Sequence, residues 1–230
     1  MFWKKRKEKK EAVSGTERKK KTEKKLEQLG IAYNPYLPLL EEAGEVKLKP
    51  VETICARAVA CLISTQLGCD VHNNDYEESR TFFDGLLEGY RVKAALLPTE
   101  KRLFDGTYSE QDVADVVWTY EAYWALVWAL GMIEDISDAS QLCDCDTAIH
   151  LVSDCKSFDE FKGLCRPRSA DEILDMLDLY YRYHWACTEK RLNPNTAIGR
   201  LNPEVVVERR RGLEWLFSEE NDWFDIPMDT

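Results

Sequence analysis

From Ala122 to Ile133 the sequence runs AYWALVWALGMI, twelve residues without a charge. Glu121 stands directly before it, and Trp118, Tyr120, Tyr123, Trp124 and Trp128 crowd the segment with rings. Ser109 followed three residues later by Asp112 has the form of a capping box, and Gly131 offers a left-handed stop. The spacing therefore predicts a helix over 109–131. A helix that is apolar on every side is stable only when covered on every side, so the rest of the chain has to wrap it. The uncharged run is shorter than the roughly 20 residues a membrane span needs, which favours a core helix.

Helical periodicity accounts for most of the remainder. Helices are expected over 16–30, over 51–68 with Gly68 as its stop, over 76–92, from Pro98 to Gly106, over 146–153 and over 158–165. In the 76–92 helix the inward positions are Phe82, Phe83, Leu86, Leu87 and Tyr90. A second capping box, Ser169 to Glu172, opens a long helix to Leu192 with Ile173, Leu174, Leu177, Tyr180, Tyr181, His184 and Cys187 inward. Asn202-Pro203 opens the last. Residues 31–50 hold Asn34-Pro35 and Leu37-Pro38 and have no helical period. They read as an extended strap anchored by Tyr33, Tyr36, Leu37, Leu39 and Leu40, with Val46–Leu48 as a very short strand. The class is all-α: a single orthogonal helical domain of about seven or eight helices around the 109–131 helix. Residues 1–25 form a basic extension, partly helical or disordered, and 26–230 form the helical domain with an acidic C-terminal tail.

The net charge of −11 is unevenly distributed. Residues 1–25 hold twelve Lys/Arg against four Glu, leaving 19 basic and 38 acidic residues in the remainder. A body of net charge −19 repels nucleic acid and anionic lipid, so contact with either is expected only through residues 1–25. The leading Phe2-Trp3 would favour a lipid surface slightly. Met1-Phe2-Trp3 runs into Lys4 with no apolar stretch of a signal peptide behind it. With Cys55, Cys61 and Cys187 inside apolar helical patterns, the eight cysteines read as free thiols of a cytoplasmic protein.

Glu121 is the most informative polar residue. A carboxylate among aromatic rings must be paired or hydrogen-bonded, and the cations at hand on other helices are Arg182, His184, Arg209, Arg210 and Arg211. The pairing reads either as a buried structural lock or as a pocket in which Glu121 and His184 act as acid and base on a small polar substrate. His184 on an apolar helical face is most simply a satisfied core residue. Cys143-x-Cys145 matches no usual zinc spacing, and neighbouring Asp144 and Asp146 would quieten its thiols; it is a weak metal candidate. No nucleophile elbow, phosphate loop or dinucleotide fingerprint is present, and no cofactor is expected. The tail SEENDWFDIPMDT combines five acids with Trp223, Phe224 and Ile226 and is expected to dock on its own domain.

Several stretches resemble a bacterial family known as domain of unknown function 4272. They are ERKKKTEKKLEQLGIAYNPYLP (17–38), WTYEAYWALVWALG (118–131), DLYYRYHWA (178–186), ERRRGLEWL (208–216) and DWFDIPMDT (222–230). The resemblance implies a mostly helical intracellular protein and brings no catalytic residues, because the family has no established activity. The leading expectation is a non-enzymatic module that binds a protein partner through a groove or its acidic surface. The alternatives are a small-molecule enzyme with a Glu121/His184/Arg pocket and tethering to nucleic acid or membrane through the basic N-terminus.

Overall fold

The computed structural model describes residues 13–72 and 76–230. Among the described residues there are nine α-helices and no strand beyond one antiparallel bridge between Ile31 and Ile198. The helices are α1 (Gly15–Leu29), α2 (Val51–His72), α3 (Tyr76–Tyr90), α4 (Pro98–Asp105), α5 (Glu110–Ala129), α6 (Cys145–Ser153), α7 (Phe158–Leu164), α8 (Ala170–Leu192) and α9 (Pro203–Trp215). Short 3₁₀ turns at Lys93–Ala95 and Trp223–Asp225 complete the list. The described residues thus hold nine helices where about seven or eight were expected; α6 and α7 lie where the two short helices were expected, each with its own cap at Asp144 or Ser157.

Local signals set most boundaries. The Ser14/Glu17, Ser109/Asp112 and Ser169/Glu172 capping boxes all form, each satisfying two orphan N–H groups at a helix start. Gly30, Gly106 and Gly131 end α1, α4 and α5 in the left-handed region. Gly68 is no stop. It lies inside α2, which runs on to His72, and its face abuts Val117 and Val116 of α5. A short residue there serves packing rather than termination.

α5 packs on α2 and α9, and α8 packs on α9. At Gly212 of α9 an added Cβ would meet the Ala122 carbonyl oxygen at 2.6 Å and the Ala122 Cα at 3.1 Å. Only glycine allows α9 this close to α5. Ala122, Tyr123, Ala125, Leu126 and Val127 are wholly buried, so the uncharged half of α5 is covered as its composition requires. α2 is apolar enough over Val51–Val71 to match a membrane span by length, but most of that stretch is buried inside the fold, as in a core helix.

Other placements differ from the periodicity. Phe82 is 60% exposed, lying edge-on to Phe83 while Leu87 and Tyr90 carry the buried face of α3. In the strap, Leu37 is buried, but Tyr36 and Leu39 face solvent and Val46–Leu48 pairs with nothing as a strand. Leu26 is buried under α1 and Leu29 is half exposed. The unanticipated anchor of α1 is Arg18, which has no exposed surface and donates to Asp175 Oδ1 at 3.1 Å, Asp171 Oδ1 at 3.3 Å and the Glu41 carbonyl at 3.1 Å. α1 therefore docks on α8, and position 25 falls within a continuous helix rather than at a break.

Candidate functional site

Glu121 projects from α5 into a closed network. Arg209 Nε donates to Glu121 Oε2 at 2.8 Å, and the Cys143 N–H donates to Oε1 at 2.7 Å. The rest of the guanidinium is also engaged: Nη1 donates to the Asp138 carbonyl at 2.7 Å, the Ile136 carbonyl at 3.2 Å and the Tyr180 hydroxyl at 3.2 Å, and Nη2 to the Gln141 carbonyl at 3.2 Å. Glu121 is 2% and Arg209 3% exposed. Burial alone would lower the Arg209 pKa, but Tyr180 and Glu121 outweigh it and hold it above its ordinary value. One ion pair thus ties α5 and α9 to the 136–143 loop and to α8. It leaves no face of Glu121 for a substrate.

Arg182 and His184 belong to different networks. Arg182 grips Asp178 one turn earlier through Nη2 at 2.8 Å and Nε at 3.1 Å, and both side chains are buried. Its guanidinium also lies 4.0 Å from Glu23 and donates to the Pro38 carbonyl at 3.5 Å, linking α8 to α1 and the strap. His184 Nδ1 lies 2.6 Å from Arg210 Nη1. Arg is always a donor, so this imidazole nitrogen accepts and the ring is neutral. Burial, with Arg210 beside it, lowers the His184 pKa to about 4. Arg210 goes on to Glu214 Oε1 at 3.0 Å and to the carbonyls of Met228 and Asp229, fastening the C-terminal tail. The candidate grouping of Glu121, Arg182, His184 and Arg209 is thereby divided: of the three cations only Arg209 reaches Glu121. Successive residues on α9 point about 100° apart, which sends Arg209 and Arg210 to different neighbours.

The thiols of Cys143 and Cys145 form no centre either. Cys143 is buried, and burial together with the Glu121 carboxylate pushes its thiol pKa up; Cys145 is exposed. Among the described residues no three His, Cys, Asp or Glu side chains converge as metal ligands.

The carboxylates that face solvent gather elsewhere. A concavity of about 760 Å³ opens between the start of α2, the 93–98 segment and the end of α9. Its apolar wall is Leu96, Leu97, Pro98 and Trp215, and its carboxylates are Glu52, Glu220, Asp222 and Asp225. Two cations, Arg57 and Lys101, share this lining. Arg57 is gripped by both oxygens of buried Glu100 and by the Ala95 carbonyl, while Lys101 sits exposed at the rim. Glu52 also lies 3.5 Å from Lys162. Lys49 bridges the adjacent carbonyls of Ser218 and Glu220 and lies 4.8 Å from the Trp215 ring centre. The tail builds one wall: Trp223 is fully buried, edge-on to Trp215 and 4.7 Å from the Arg57 guanidinium. Burying a tryptophan removes up to about 250 Å² from water, of order 4 kcal/mol or more before ordering costs, enough to hold the short tail.

A family model described as Domain of unknown function (DUF4272) matches residues 18–226. The chain belongs to this family. The match covers α1 through the docked tail, so both the Glu121–Arg209 network and the acidic concavity lie within the family's span. No curated protein and no solved structure matches the chain. Sequence reasoning passed over Arg57 and Glu100, the pair beneath the concavity. The available signal was an arginine inside the otherwise apolar run ICARAVACLI, since a charge in such a run demands a buried partner.

Proposed function

We propose that this family member is a non-enzymatic helical binding module of the bacterial cytoplasm, which holds a basic segment of a protein partner in the acidic concavity. The observation that carries the reading is the charge balance of that concavity: four carboxylates line it, and Arg57 is already held by Glu100. An extended Lys/Arg-rich segment could lay its aliphatic stems on exposed Ala94 and Pro98 and its cationic heads against the rim carboxylates. In this reading the fold is a single orthogonal helical domain arranged around α5, and the closed Glu121 network is scaffold. Sealing of Glu121 weighs against the small-molecule enzyme as the alternative.

Calorimetric titration with a short Lys/Arg-rich peptide tests the proposal. Saturable binding that weakens with salt and falls at least tenfold in the Glu52→Lys/Asp225→Lys double variant is the expected result. Reversing Glu110 and Asp146, exposed carboxylates outside the concavity, should leave it within twofold. Equal losses from both variants would reduce the effect to overall charge and overturn the assignment of the site.

A second reading rests on α1, where Lys20, Lys21 and Lys24 of the basic 1–25 segment face solvent. In it the segment is a tether to nucleic acid or an anionic membrane, and unchanged retention on anionic vesicles or RNA in a Lys20→Glu/Lys24→Glu variant would defeat it.

A further inference from the structure

Two cysteines 110 positions apart in the sequence meet inside the fold. Cys55, in the second turn of α2, and Cys165, the residue that closes α7, have their sulfurs 3.7 Å apart. Cys55 is fully buried and Cys165 is 6% exposed. Neither thiol has a part in the acidic concavity or in the Glu121 network. Cys165 Sγ also approaches the Phe161 carbonyl at 3.4 Å and Met132 Sδ at 4.0 Å, so its surroundings are sulfur and backbone rather than carboxylate. The segment carrying it is held in place, because the Arg166 and Arg168 N–H groups donate to the Leu130 and Ala129 carbonyls. Gly131, at φ +73°, brings that backbone against Arg166 so closely that a Cβ would collide with the Arg166 carbonyl.

We infer that Cys55 and Cys165 form a reversible oxidation site, which closes to an intramolecular disulfide when the cell meets peroxide. Closing the sulfurs from 3.7 Å to the disulfide length of about 2.05 Å takes a small shift at the end of a seven-residue helix. The neighbours divide the roles. The sulfur–sulfur contact, which either thiol can donate, and Arg166 nearby favour the Cys165 thiolate, whereas contact with Cys165 and burial push the Cys55 thiol up. Cys165 is also the thiol with any solvent access, so it is the attacking group and Cys55 the resolving one. The Cys165 thiolate attacks one oxygen of hydrogen peroxide; the O–O bond breaks, and the departing hydroxide takes a proton to become water. Cys165 is left as the sulfenic acid. The Cys55 sulfur then attacks the Cys165 sulfur, the S–O bond breaks, and the hydroxide leaves as a second water with the Cys55 proton. In sum two thiols are oxidised, one peroxide is reduced, and two waters form. The bond would link α2 directly to the α7–α8 connection and constrain the unfolded chain over a long loop.

The sequence makes the test clean. Trypsin releases Cys55 in LKPVETICAR (48–57) and Cys165 in GLCRPR (163–168), each with a single cysteine. The full chain is treated with stoichiometric hydrogen peroxide, alkylated and digested without reductant. The expected product is the joined pair of these peptides, two hydrogens lighter than their sum, and dithiothreitol should restore both free peptides. Denaturation of the oxidised protein should occur at higher denaturant concentration than that of the reduced protein. Cys55→Ser and Cys165→Ser should each abolish the joined peptide, with circular dichroism reporting whether each variant remains folded, and Cys145→Ser should leave it intact. The inference is overturned if oxidation is confined to exposed Cys145 or to Met132 sulfoxide with Cys55 and Cys165 still alkylated. A link from Cys165 to Cys155 instead would overturn the assignment of Cys55.

Discussion

The Glu121 network and the acidic concavity present the same functional group in opposite settings. Glu121 is 2% exposed, with one oxygen on Arg209 and the other on the Cys143 N–H, so its charge is matched before any ligand arrives. Glu220 and Asp225 face water at the edge of an apolar wall, and Arg57, the arginine of the same lining, is already committed to Glu100. A buried carboxylate survives only when saturated, and saturation removes its capacity for chemistry. An exposed one loses little by staying unpaired and remains available for a cation from outside. The more conspicuous carboxylate in the sequence is therefore the less available one.

The sharpest way to break this contrast is to remove the buried partner. Glu121→Ala leaves the Arg209 guanidinium buried without its counter-charge and should cost about 3–5 kcal/mol, read as the shift in urea midpoint. A Glu121→Leu/Arg209→Met double variant should recover most of that loss. If Glu121→Ala is nearly neutral, Glu121 is not the sealed lock described above.

His184 gives the next largest effect. Its folded pKa of about 4 lies below the ordinary value of 6.5, so below pH 6.5 the unfolded chain binds a proton that the folded chain refuses. Stability should thus fall as pH drops from 6.5 towards 4, by about 3 kcal/mol in all, and stay flat above that window for this group. His184→Gln should flatten that slope. Because Arg210 links His184 to the tail carbonyls of Met228 and Asp229, acid should also expose the tail to proteolysis.

The smallest expected effect on stability comes from the concavity. Glu52→Lys/Asp225→Lys should shift the urea midpoint by no more than about 0.5 kcal/mol, as surface substitutions do, while changing peptide affinity most. Large stability losses there would mean that these carboxylates also belong to the scaffold.

Much of the architecture was legible from local chemistry. The Ser109/Asp112 and Ser169/Glu172 boxes, the Gly30 stop and the buried stripe of α8 follow from short-range hydrogen bonding and periodicity. The misplacements of Phe82 and Tyr36 have a common cause: periodicity places an apolar residue on a face but does not say whether another element covers it. Of the candidate site, the demand that Glu121 be paired was legible, and Arg209 was among the cations it could take. That Arg182 turns to Asp178 and His184 to Arg210 depends on helix rotation and crossing, which sequence spacing does not encode.

By itself, the sequence determined that this chain is helical, that the uncharged half of α5 is covered, and that its lone carboxylate cannot stand unpaired. Each follows from a local rule: backbone groups must be capped, apolar surface leaves water, and a charge in a dry place needs a partner. The tertiary structure alone decided which arginine answers Glu121, which carboxylates share an open concavity, and which two of eight thiols come within 3.7 Å. Those meetings join distant residues: Glu121 and Arg209 are 88 positions apart, Cys55 and Cys165 110, and Glu52 and Asp225 173. They are fixed by how close α9 approaches α5 across Gly212 and by where the strap and tail come to lie, not by any short stretch of chain.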